Sequence, residues 1–142
     1  QPGESHAMHY DYSRLGQLLS YTDVLQQVQS YDYDVAGRLE STQLGSTHSD
    51  FSYDELGQTA TITTRDSASG QQVIIALEYD DLGREIQRTF DLNGIEQQLT
   101  QVYNAADLVE RRTLKQGDAV LRDETYGYDL RGRLTLYTCE GS

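Results

Sequence analysis

Carboxylates are the side chains of this sequence best able to do chemistry. Asp80 with Asp81, and Asp32 with Asp34, are the pairs that general acid–base catalysis or a divalent cation would call for. Adjacent residues of a strand point to opposite faces, so Asp80 and Asp81 do not converge there. Asp34 and Asp80 also fall at predicted turns, and neither an Asp-x-Asp-x-Asp-Gly calcium loop nor a Gly-Gly-x-Gly-x-Asp repeat occurs. His6, His9 and His48 lack metal-ligand spacing. The single Cys139 allows no internal disulfide and no Cys-rich zinc site. With no Gly-x-Ser-x-Gly elbow and no phosphate loop, the expectation is a protein that is not an enzyme and needs no metal or cofactor.

Tyrosine is the other residue type with binding chemistry. Eleven Tyr, no Trp and one Pro stand among 142 residues. Tyr10, Tyr31 and Tyr126 are candidate sugar-binding aromatics, since ring faces flanked by Asp, Asn and Gln suit pyranose rings and their hydroxyls. The opposing consideration is mass. Leu, Ile, Val and Phe number 31 of 142, about 22%, so the tyrosines are needed to supply an apolar face.

Composition narrows the partners further. Eleven Lys and Arg against 23 Asp and Glu give a net charge of -12 and a pI near 4.4, which disfavours phosphate backbones and anionic lipid surfaces. No apolar run approaches a membrane span, so neither nucleic-acid binding nor membrane insertion is expected. Because Met8 is the only methionine, the chain reads as a processed product or a piece of a larger protein.

The elements that position these residues are set by an internal repeat. Six segments align on a tyrosine: YSRLGQLL from Tyr12, YDVAGRLE from Tyr33, YDELGQTA from Tyr53, YDDLGREI from Tyr79, YNAADLVE from Tyr103 and YDLRGRLT from Tyr128. Asp at the first corner of a type I turn accepts a backbone N–H two residues on, and Gly three residues later takes the left-handed conformation of a G1 bulge. Asp34 with Gly37, Asp54 with Gly57, Asp80 with Gly83 and Asp129 with Gly132 fit fully. The first copy has Ser13 and Gly16. The fifth has Asn104 and Asp107, a strained but allowed substitute. Arg38, Arg84 and Arg133 follow the turn glycine, where pairing with a neighbouring hairpin's Asp is expected.

Two residues before each anchor come Tyr10, Tyr31, Phe51, Leu77, Gln101 and Tyr126, the period of a half-buried strand. Further turn signals lie at 44–46, 66–70, 91–94 and 116–118. The pattern predicts an all-β meander of roughly 12 strands, with a packed tyrosine face and a wet Asp, Glu and Gln face. For residues 21–30 a strand is preferred over a short amphipathic helix through Val24, Leu25 and Val28.

The consensus Tyr-Asp-x-x-Gly-Arg-Leu, with six copies in phase and the glycine in place in five, resembles the YD repeat of the Rhs family, which includes Tc toxin B and C subunits, polymorphic Rhs toxins and teneurins. The resemblance implies consecutive antiparallel hairpins in a curved meander sheet, a segment of a hollow β-shell that encapsulates or presents a toxin or other C-terminal domain. It also implies a secreted or cell-surface bacterial protein whose partners are the remaining repeats and the enclosed polypeptide. No DPxG-type self-cleavage element of the toxin members is present. A carbohydrate- or receptor-binding module is the alternative, with glycans as partners. Residues 1–9 are expected as a flexible leader and 10–142 as the hairpin array, with Tyr12, Tyr33, Tyr53, Tyr79, Tyr103 and Tyr128 as structural anchors. Unpaired sheet edges lead to an expectation of self-association, most simply a two-fold homodimer, unless the sheet curls over its own tyrosines.

Overall fold

The computed structural model describes residues 7–141. They form one sheet of twelve antiparallel strands, each paired with its neighbours in sequence. In order these are β1 (His9–Tyr12), β2 (Leu18–Thr22), β3 (Val28–Tyr33), β4 (Leu39–Leu44), β5 (Thr47–Tyr53), β6 (Thr59–Asp66), β7 (Gln71–Tyr79), β8 (Glu85–Leu92), β9 (Ile95–Tyr103), β10 (Val109–Gln116), β11 (Ala119–Tyr128) and β12 (Leu134–Glu140). The all-β meander expected from the repeat is the observed fold. Of the expected leader, only residues 7–9 lie among the described residues, and His9 already opens β1.

Turn chemistry fixes the meander. The six tyrosine hairpins turn at one end of the sheet, each with a register shift immediately before its turn, as at Asp32/Tyr33 and Glu78/Tyr79. Gly37, Gly57, Gly83 and Gly132 lie at φ between 76° and 81°, where a Cβ would be strained, and Asp107 takes φ 63° in the fifth copy. At the opposite end Asn93-Gly94, with both residues at positive φ, joins Leu92 to Ile95 in a type I′ pattern.

Residues 21–30 are neither one strand nor a helix. They contain a turn at 23–26, in which Gln26 takes φ 63° and Asp23 Oδ1 accepts the N–H groups of Leu25 and Gln27 at 2.8 and 2.9 Å. This is the aspartate turn without a tyrosine before it and without glycine. The pattern of Val24, Leu25 and Val28 conceals it, because no glycine marks the left-handed position.

The expected packed face is only partly realised. One face carries Val73, Phe90, Leu92, Ile95, Leu99 and Leu114 around a shallow concavity of about 600 Å³. The other carries Asp, Ser, Thr and Gln in cross-strand pairs such as Asp32 with Ser41 and Glu78 with Gln87. A single layer cannot enclose its apolar side chains, and among the described residues none is fully buried. β1 and β12 are not paired, so the sheet does not close on itself.

Candidate functional site: the joints between tyrosine hairpins

Each tyrosine turn is organised by its first residue. Asp34 Oδ1 accepts the backbone N–H groups of Ala36 and Arg38, both at 2.9 Å, and Oδ2 accepts Arg38 Nε at 2.8 Å. Asp80 and Asp129 repeat this with Arg84 and Arg133. Asp54 and Asn104 keep the two backbone bonds, and Ser13 makes them through its hydroxyl. The carboxyls of Asp34, Asp80 and Asp129 are held below the ordinary aspartate value, chiefly by the backbone N–H of the arginine and then by its guanidinium. These carboxylates are occupied in holding turns.

Between hairpins the hydrogen-bond ladder stops short of the turn. β2 and β3 pair only from Ser20 with Ser30, β4 and β5 from Ser41 with Asp50, and β6 and β7 from Thr61 with Ala76. β8 and β9 pair from Gln87 with Thr100, and β10 and β11 from Arg111 with Thr125. In every case the carbonyl of the return strand's first residue lies outside the ladder to the next hairpin, and a partly covered carbonyl needs a donor.

The anchor tyrosines supply it. The hydroxyl of Tyr33 donates to Leu18 O at 2.8 Å, Tyr53 to Leu39 O at 2.7 Å and Tyr79 to Thr59 O at 2.8 Å. Tyr103 donates to Glu85 O and Tyr128 to Val109 O, both at 2.7 Å. Each ring therefore bridges back to the preceding hairpin, and each such bond contributes about 1 kcal/mol. Desolvation raises the pKa of the Tyr79 hydroxyl, which keeps it a donor. Tyr12 differs from the other five: its side chain is 60% exposed and its hydroxyl has no such carbonyl among the described residues.

A second contact runs forward. Gln17 and Gln58 donate to the carbonyls of Gly37 and Gly83 in the following turns at 3.2 and 3.3 Å. The guanidiniums of Arg38 and Arg84 lie 4.4 and 4.5 Å from the ring centroids of Tyr53 and Tyr103. The expected pairing of these arginines with a neighbouring hairpin's Asp occurs once, between Arg84 and Asp107 at 2.6 Å; otherwise each binds its own turn Asp. That exception puts a cation beside the one carboxylate in a glycine position.

The candidate sugar-binding rings are not gathered. Tyr10 lies on β1 against Tyr21, with centroids 4.9 Å apart, and is stacked with Tyr12. Tyr31 is on β3, while Tyr126 is on β11 against Tyr137, eight strand spacings or roughly 38 Å farther across the sheet. The Tyr126 hydroxyl is bound to Glu124.

Other candidate chemistry disperses too. His48 contacts Gln43 and Asp50, each at 2.9 Å, His9 lies 3.2 Å from Asp11, and Cys139 is exposed. His6 falls outside the described residues. Among the described residues no three His, Cys, Asp or Glu side chains gather as metal ligands, and no helix is long and apolar enough to cross a membrane.

Residues 12–48, which span the first two tyrosine turns, match the family model for the RHS repeat. That stretch is similar to an RHS repeat. No curated protein matches it. Among solved structures, a crystal structure of TcdB2-TccC3-Cdc42 matches at 20% identity with a TM-score of 0.60, over 94% of this chain and 9% of that chain. Crystal structures of TcdB2-TccC3-TEV and TcdB2-TccC3 match at 19% identity and TM-scores of 0.56, with the same coverage. The chain thus spans about a tenth of the chains it matches. At these identities the likeness is one of fold: antiparallel hairpins in series, as the tyrosine repeat implied.

Proposed function

We propose that residues 10–142 are a non-catalytic YD/Rhs-repeat segment of a hollow β-shell that encapsulates or presents a toxin or other C-terminal polypeptide. Tyr12, Tyr33, Tyr53, Tyr79, Tyr103 and Tyr128 are its anchors, and its partners are further repeats of the same protein and the enclosed polypeptide. In this reading the parent is a bacterial protein that is secreted or held at the cell surface. One observation carries the proposal: the sheet exposes a contiguous apolar face and, among the described residues, buries no side chain fully. A layer built in this way requires a partner over that face. The occupied turn carboxylates and the scattered histidines support a structural role over a catalytic one.

A photoreactive amino acid in place of Phe90, within the complete reading frame, tests this. Cross-links to polypeptide C-terminal to the repeats are the expected result. Labelling of solvent alone, in a folded protein, would refute enclosure.

The cluster of exposed Tyr10 and Tyr12 with half-buried Tyr21 favours a second reading, a carbohydrate- or receptor-binding surface. A glycan that binds this chain and is lost on Tyr10→Ala would promote it.

A further inference from the structure

Charge is divided unequally between the two faces of the sheet. On the face away from the tyrosines, Asp32, Glu78, Asp91 and Glu96 have no arginine or lysine partner among the described residues. The tyrosine face carries Arg88, Arg112 and Arg122 in or beside the apolar concavity. Arg88 is held by Glu85, through Nε at 2.7 Å and Nη2 at 3.1 Å, and Arg122 is held by Glu124.

Arg112 is placed differently. Its Nε donates to Gln101 Oε1 at 2.8 Å and its guanidinium carbon lies 6.0 Å from the Tyr126 ring centroid, but no carboxylate pairs with it among the described residues. The register sets Glu124 directly opposite. That carboxylate is already occupied: Oε1 accepts Arg122 Nε and, at 3.4 Å, the Tyr137 hydroxyl, while Oε2 accepts the Tyr126 hydroxyl. In a chain of net charge -12, an exposed cation without an acidic partner therefore stands at the rim of the apolar hollow. Its neighbours on this face are Leu114, two residues on along β10, and Leu99, opposite Leu114.

We propose that this site takes an extended polypeptide segment of the pattern acid-x-apolar, with its carboxylate on the Arg112 guanidinium and its apolar side chain against Leu99 and Leu114. Residues two apart in an extended chain lie about 7 Å apart on one side, the spacing of Arg112 and Leu114 themselves. A carboxylate offers two acceptor oxygens to the guanidinium N–H groups that Gln101 leaves free. Charge selects this occupant over two others. A basic segment is repelled by Arg112 and drawn to the opposite, acidic face, and a second copy laid face to face brings its own unpaired Arg112 with it. The inference rests on the shell reading, in which the occupant belongs to the enclosed polypeptide, and adds the chemistry that holds one segment of it.

The test uses the complete reading frame with a photoreactive amino acid at Leu114, and the same probe at Phe90 as the reference for enclosure. The expected Leu114 cross-link, located by mass spectrometry, is to a segment with Asp or Glu within two residues of the linked position. Arg112→Gln should lower the Leu114 yield about fivefold, the upper range for a partly exposed ion pair, whereas Arg112→Lys keeps most of it. Replacing the identified carboxylate by its amide should give the same loss, with no further loss when combined with Arg112→Gln. If circular dichroism shows that Arg112→Gln disturbs the sheet, the amide variant decides alone. A linked segment without a carboxylate, a link to a second copy, or Leu114 yields indifferent to both substitutions, with Phe90 links intact, would overturn this inference and leave enclosure standing. Loss of polypeptide links at Phe90 and Leu114 alike would refute enclosure and this inference with it.

Discussion

The two ends of the sheet solve the same turning problem differently. At the tyrosine end, six turns use one scheme, in which a first-corner Asp, Asn or Ser accepts two backbone N–H groups and a residue in the left-handed conformation follows. At the opposite end the scheme varies: an aspartate turn at Asp23, a glycine-led turn at Gly45, a four-residue loop after Asp66 and a type I′ Asn93-Gly94 turn. Links between hairpins there are individual, such as Ser46 to Asp66 and the paired bonds of Asn93 with Gln72. The Asp23 turn separates the two functions of the repeat. Aspartate suffices to make the turn, whereas the tyrosine makes the joint.

Removing a joint should therefore cost more than disturbing the opposite end. Tyr79→Ala loses a half-buried ring and leaves the Thr59 carbonyl without its donor, and we expect a loss of about 2–3 kcal/mol in urea unfolding. Gln71→Ala, exposed at the opposite end, should stay within about 0.5 kcal/mol.

Glycine substitutions sharpen the contrast. Gly83→Ala meets φ +77° and places its Cβ 3.1 Å from Gln58 Nε2, the forward contact of the preceding hairpin; Gly94→Ala meets φ +87° in open space. Both carry a backbone cost of about 1–2 kcal/mol, with Gly83→Ala the larger because it also disturbs a joint. Asp107→Gly should act in the other direction. It relieves the left-handed aspartate while losing an exposed pair with Arg84, for a net gain below about 1 kcal/mol by the same unfolding measurement.

Acid should distinguish the ends least. Asp34, Asp80 and Asp129 at the tyrosine end and Asp66 at the other all have lowered folded-state pKa values. Asp66 is lowered from 3.8 to about 2 by the hydroxyls of Ser46 and Ser69 and the N–H of Ala68. A depressed carboxylate stabilises the fold fully above its unfolded pKa, and that contribution is lost as pH falls through the folded value. Urea midpoints should be flat above pH 5 and fall between about pH 4 and 2, with Asp66→Asn reducing the slope.

Much of this was legible in the sequence because glycine and aspartate have local reasons to sit where they do. Asp34 to Gly37 specifies a turn without reference to the rest of the chain, and the alternation around Tyr31 and Tyr33 specifies the strand before it. The turn at Asp23 was hidden because Gln26 occupies the left-handed position at φ 63°. The joints were hidden for a different reason. That the Tyr33 hydroxyl meets Leu18 O depends on where the ladder between β2 and β3 ends, a property of two hairpins together. The arginines were half legible: their turn position follows from the repeat, but stacking of Arg38 over Tyr53 depends on the spacing between hairpins.

The claim that tyrosine hydroxyls join the hairpins is tested most directly by removing them one at a time. Tyr33→Phe, Tyr53→Phe, Tyr79→Phe, Tyr103→Phe and Tyr128→Phe each retain the ring and lose one bond to a carbonyl. Urea unfolding at low protein concentration should show each of the five destabilised by about 1 kcal/mol and Tyr12→Phe unchanged. Equal effects at all six positions, or none at the five, would contradict it.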